Sequence, residues 1–210
     1  DLGIVGLRMI ETPQMLGLVS TALSAESSQD EFFFWVDHRH LVEATQLVRV
    51  TMPLPTGDPR IEQLETDVIT VIGIVEEVKR QSESRTLSAD YARYDGTVEN
   101  ISLLPPTSFT YARCQVLDLD PPLFVPLMEG LPVYLASESE AGRGYNYPDM
   151  KKAGSDLTMG LLRNGGLEVA GAAKLDTRYI LGELGGHVNV TGVAGTCTKT
   201  SFLMVLVKML

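Results

Sequence analysis

The run Gly192 to Ser201, GVAGTCTKTS, carries the residue types that hold phosphate: glycines, a lysine and several hydroxyls, set just ahead of an apolar segment. A loop of the GxxxxGK[ST] kind wraps phosphate oxygens in consecutive backbone N–H groups. Its lysine reaches the β and γ phosphates, and the hydroxyl that follows is a Mg²⁺ ligand. The helix that starts there adds the positive end of its dipole. In this chain Lys199 and Thr200 take the lysine and hydroxyl places, Ser201 follows, and Gly192, Gly195, Thr196, Cys197 and Thr198 supply loop backbone. The match is not strict. Counted from Gly192 the lysine arrives one place late, and Thr198 stands where a glycine usually precedes it. A β-branched residue tolerates poorly the positive φ that such a loop can require. The chemistry still needs only consecutive N–H groups, one ammonium and one hydroxyl in reach, which a wider loop can present. The competing reading is a plain strand-to-helix connection in which Thr and Ser serve as N-caps. Two neighbours favour phosphate: the β-branched, alternating HVNVTG (His187 to Gly192), predicted as a strand, and SFLMVLVKML (Ser201 to Leu210), predicted as a helix.

Other reactive residue types are weaker signals. His38 and His40 sit two apart with no third His or Cys nearby, so an exposed turn is expected there before a metal site. His187 is expected at a strand end, not as a base. The cluster Phe32, Phe33, Phe34, Trp35 has rings that can stack on bases, but its sequence surroundings are poor in Lys and Arg, which points to core or subunit interface. Cys197, inside the loop, would make nucleotide binding sensitive to thiol oxidation if its thiolate is accessible. Glu76 and Glu77 beside Lys79 and Arg80 read as a solvated strand end, and no Ser, His and Asp constellation suggests a triad hydrolase.

The elements that must position these residues are mostly strands. GIVGLRMI (Gly3 to Ile10), EFFFWV (Glu31 to Val36), QLVRVTM (Gln46 to Met52), DVITVIGIVEEV (Asp67 to Val78), SFTYARCQVLDL (Ser108 to Leu119) and LPVYLA (Leu131 to Ala136) are rich in β-branched and aromatic residues. No long amphipathic helix separates them, so an antiparallel sheet is predicted, and closure into a small barrel would remove its edges. A partly open sandwich is the alternative. Ser20 to Asp30, Arg80 to Asn100 and Leu119 to Pro126 read as loops. The polar, Gly-rich stretch Ser137 to Asp156 reads as an irregular linker, which divides the chain into residues 1–140 and 141–210. Beyond it, Asn164, Gly165 and Gly166 are predicted to make a tight hairpin turn, LEVAG (Leu167 to Gly171) a strand, and Thr177 to Leu181 a single helical turn.

Composition bounds the function. With 44% hydrophobic residues among 210, the chain can build a core, which excludes disorder as the default. No apolar run approaches the roughly 20 residues of a membrane-spanning helix, so no membrane partner is expected. Two cysteines are too few for a disulfide framework, and no secretory signal is present, which together point to the cytoplasm. A net charge of −10 argues against a self-sufficient nucleic-acid binder. Residues 187–210 are locally different, with Lys199 and Lys208 and no acid, +2 against −12 for the remainder. The chain starts at Asp1 and stops at Leu210 inside an apolar run without a C-cap glycine or proline, so a piece of a longer protein is expected.

On these residues the chain resembles the HerA family, hexameric P-loop motors of the FtsK-like branch whose N-terminal module is a small β-barrel, the HAS barrel. The matching pieces are LGIVG followed by ETP, FFFWVD, ITVIGIVEEV, PVYLAS and, most specifically, LGELGGHVNVTGVAGTCTKTSF, where Thr-Lys-Thr replaces Gly-Lys-Thr in a loop longer by one residue. The resemblance implies a mainly β fold: a HAS-like barrel over 1–140, then over 141–210 the beginning of an α/β RecA-like ATPase core. It also implies an ATP-driven translocase or helicase that forms a homo-hexameric ring and moves on duplex DNA through its motor core. Such a motor works with a NurA-type nuclease on DNA ends in double-strand break repair, with ATP and Mg²⁺ as cofactors. Lys199 would bind the β and γ phosphates and Thr200 the Mg²⁺, while Gly192, Gly195, Thr196, Cys197 and Thr198 would line the loop. The barrel would help assemble the ring and dock the nuclease. In such motors the Walker B acid, the water-positioning residue and the arginine finger lie farther along, and ten residues follow Thr200, so this segment alone is not expected to hydrolyse ATP. The alternative is an assembly module whose barrel binds partners and whose loop no longer holds nucleotide.

Overall fold

A computed structural model gives the fold, and it describes residues 14–21, 26–82, 108–165, 169–191 and 199–210. Six strands form the main body: β1 (Met15–Ser20), β2 (Glu31–Val36), β3 (Leu47–Pro53), β4 (Val68–Ser82), β5 (Ser108–Asp120) and β6 (Pro132–Leu135). They pair antiparallel in the order β1-β2-β5-β4-β3-β6, and β6 returns to β1, so the sheet closes into a barrel. Closure gives both sides of every strand a partner, which the sandwich alternative would not. β2 to β6 lie where the sequence predicts strands. β1 does not; it falls just after the predicted Gly3 to Ile10 strand, which lies outside the described residues.

Period-two alternation places the core. Phe32 and Phe34 of β2, Val48, Val50 and Met52 of β3, Ile69 and Val71 of β4, and Ala112 and Cys114 of β5 all point into the barrel and are buried. Each fully buried Phe contributes about 2–3 kcal/mol of apolar transfer energy. Space for such rings comes from a small residue opposite. A Cβ at Gly73 would stand 2.8 Å from the Phe32 ring, so glycine there is what lets the aromatic fill the lumen. At the β1 bulge between Met15 and Gly17, a Cβ on Gly17 would overlap the Trp35 carbonyl oxygen of the paired strand.

The stretch predicted as an irregular linker is helical instead. α1 (Glu138–Gly144) and α2 (Tyr147–Ala153) fill it. Ser137 and Glu140 form a capping box, with each side chain accepting from the other's backbone N–H. Both helices are only seven residues long, too short to display a 3.6-residue period; their sequence signals were the capping box for α1 and, for α2, Pro148 in the first turn and Gly154 at the C-cap. Ala141 of α1 packs with Leu47 and Ala136 in a small cluster on the outside of the barrel, joined by Ile74, Tyr145 and Leu162. Arg143 fastens the same helix to the β4/β5 side: its Nε donates to Asp118 at 2.5 Å and its Nη1 to Asp120 at 3.0 Å.

Downstream, β7 (Asp156–Arg163) and β8 (Val169–Asp176) pair as an antiparallel hairpin, the predicted single turn is α3 (Thr177–Ile180), and α4 runs Lys199–Met209. The LEVAG stretch enters β8 at Val169. Among the described residues every strand pair is antiparallel, so the protein is mainly β around a closed barrel, and they hold no parallel sheet of the kind a RecA-like core requires. Residues 187–191, predicted as the strand before the loop, have no regular structure. A parallel strand buries both faces and needs sheet neighbours for its N–H and C=O groups. β7 and β8 pair with each other, and Val188 remains 43% exposed.

Candidate functional site

Lys199 is the first residue of α4, and Thr200 and Ser201 complete its opening turn. The N–H groups at the start of a helix have no intrahelical acceptor and carry the positive end of the dipole. No acid lies in the first turn of α4 to offset that field. The donor set on this turn, one ammonium and two hydroxyls at a helix N-terminus, fits the chemistry of a Mg²⁺-bound phosphate chain. Lys199 is half-buried and Thr200 exposed. Gly192, Gly195, Thr196, Cys197 and Thr198 lie outside the described residues, so the structure brings together Lys199, Thr200 and Ser201 out of the predicted set.

The body of α4 is apolar on all sides. Phe202, Met204, Val205 and Val207 are exposed, Met204 at 69% and Val207 at 72%, while Leu206 is buried. A helix apolar around its whole circumference normally sits inside a core.

The segment that leads toward this turn is fixed by two polar anchors. The first is Asn164, the residue after β7, whose side chain is fully buried. Its Oδ1 accepts from the Leu47 N–H, and its Nδ2 donates to the carbonyls of Leu47 and Ala136, each at 3.1 Å. The amide thus bonds the backbone of β3 and the residue after β6 much as a short strand would. Asn164 is therefore a barrel anchor, not simply the hairpin-turn residue predicted from its neighbours Gly165 and Gly166. The second is Asp176, the N-cap of α3, which accepts from the Arg178 N–H and from its guanidinium. Hydrogen bonds from Arg178 hold the Asp176 carboxyl at about 2, below its ordinary value. The same guanidinium reaches Asp149 of α2 at 2.9 Å, tying α2, β8 and α3 together.

A second surface lies on the outer side of β2 and β5. Phe33 and Trp35 point outward, on the opposite side of β2 from the buried Phe32 and Phe34. They meet Phe109 and Tyr111 of β5: Trp35 stacks edge-on to Phe109 at 4.8 Å and to Tyr111 at 6.0 Å, and Phe33 lies 6.4 Å from Tyr111. Register brings Lys79 beside Tyr111 and Arg113 beside Phe33, cations that the local sequence of β2 does not reveal. Both are already paired, Lys79 with Glu77 at 2.8 Å and Arg113 with Glu76 at 3.2 Å. Alternation in SFTYARCQV, apolar-in and aromatic-out, was the signal that could have found Phe109 and Tyr111 from sequence.

The histidines are dispersed. His38 is 91% exposed beside Asp37, His40 Nδ1 lies 2.9 Å from Gln14 Nε2, and His187 is exposed near residues without regular structure. Among the described residues no three His, Cys, Asp or Glu side chains gather as metal ligands, and no helix is long and apolar enough to cross a membrane. Cys114 is buried in the barrel, and burial pushes its thiol well above the ordinary value, which keeps it a packing residue. Comparison with protein families finds no family model that matches the chain, and comparison with curated proteins finds no match.

Proposed function

We propose that this chain is the barrel and phosphate-loop portion of a HerA-type, ATP-driven DNA translocase or helicase of the cytoplasm, one that works with a NurA-type nuclease on DNA ends in double-strand break repair. The observation that carries the reading is the place of Lys199-Thr200-Ser201: the opening turn of an apolar helix, directly after the Gly-containing sequence Gly192 to Thr198, in a chain whose N-terminal part is a closed antiparallel barrel. The all-round apolar surface of α4 supports it too, because a helix of that kind is built to be enclosed by an α/β core larger than the described residues supply.

In this reading the side chains divide the work as follows. Lys199 neutralises charge on the β and γ phosphate oxygens, the first N–H groups of α4 receive the phosphate, and Thr200 offers its hydroxyl to Mg²⁺. Bound Mg²⁺-ATP supplies the phosphoryl group whose transfer drives movement. The barrel acts in assembly of a homo-hexameric ring and in docking the nuclease, while duplex DNA belongs to the motor core. The chain's charge of −10 fits that division, since a strongly anionic surface leaves DNA contact to other parts.

The test is a titration of the chain with a fluorescent ATP analogue and Mg²⁺, with circular dichroism to verify folding. Saturable binding is expected, weakened about tenfold to a hundredfold by Lys199→Ala, the range for losing a charged hydrogen bond. Thr200→Ala should weaken the Mg²⁺ dependence. If no binding occurs, or Lys199→Ala changes nothing, the motor reading is wrong. The remaining reading is then the assembly module with a non-binding loop, which one observation favours: residues 187–191 do not form the strand that normally holds such a loop.

A further inference from the structure

We draw no further inference here: the strongest candidate, the aromatic outer face of the barrel formed by Phe33, Trp35, Phe109 and Tyr111, has its neighbouring cations Lys79 and Arg113 already paired with Glu77 and Glu76, and nothing in the structure shows what covers it.

Discussion

Replacing Asn164 by alanine removes three hydrogen bonds at a fully buried position and leaves their backbone partners in place. The partners do not lose equally. The Leu47 carbonyl keeps a bond from the Ala136 N–H at 3.0 Å, so it remains satisfied. The Leu47 N–H and the Ala136 carbonyl lose the Asn164 amide as partner. Each buried polar group stripped of its partner costs about 1–3 kcal/mol, so Asn164→Ala should destabilise by about 3–4 kcal/mol. With a urea m-value of roughly 2 kcal/mol/M, the unfolding midpoint should fall by about 1.5–2 M. Asn164→Asp should be at least as harmful, because it replaces the donor with a charged oxygen facing two carbonyls. Native-state hydrogen exchange supplies a local readout: the Leu47 amide should lose protection ahead of amides in the middle of β4. A midpoint shift below roughly 0.5 M, with Leu47 still protected, would show that Asn164 does not join the hairpin to the barrel.

The remaining expectations rest on other contacts. Asp176 has a folded-state pKa of about 2, lowered from 3.8, so its contribution to stability is fully present above about pH 4 and disappears as pH falls toward 2. Urea melts of wild type and Asp176→Asn should therefore differ at pH 7 and converge near pH 2; a constant gap would refute the assignment. Arg143→Ala should cost about 1 kcal/mol, small because the guanidinium is part-exposed, and should loosen α1 as seen by faster exchange of its amides. Gly17→Ala should cost about 3 kcal/mol, because the added methyl overlaps the Trp35 carbonyl; a thermal midpoint lowered by roughly 6–12 °C is expected, and an unchanged midpoint would contradict the β1/β2 register.

Strand identity was legible where one face is buried. EFFFWV and QLVRVTM show their alternation openly, and the structure puts Phe32, Phe34, Val48 and Val50 inside. β1 escaped because MLGLVS is short, includes a glycine and a bulge, and so breaks the period by which a strand is recognised. α1 and α2 escaped because seven residues cover barely two turns. The predicted strand at His187 to Gly192 erred in the other direction: β-branched residues state a preference for extended backbone, but a strand exists only where a neighbour accepts its hydrogen bonds.

For the candidate site, the apolar run from Ser201 to Leu210 was legible as a helix, and α4 covers it while also taking in Lys199 and Thr200, which the sequence alone assigns to the phosphate loop. Pairing between distant strands was not accessible that way. Closure of β6 onto β1, the meeting of Trp35 with Phe109, and the reach of Asn164 to Leu47 across 117 positions each depend on register and chain path, which local propensity does not encode. A residue's type determines which partners it can satisfy; only the folded backbone decides which of them come within a hydrogen bond's length.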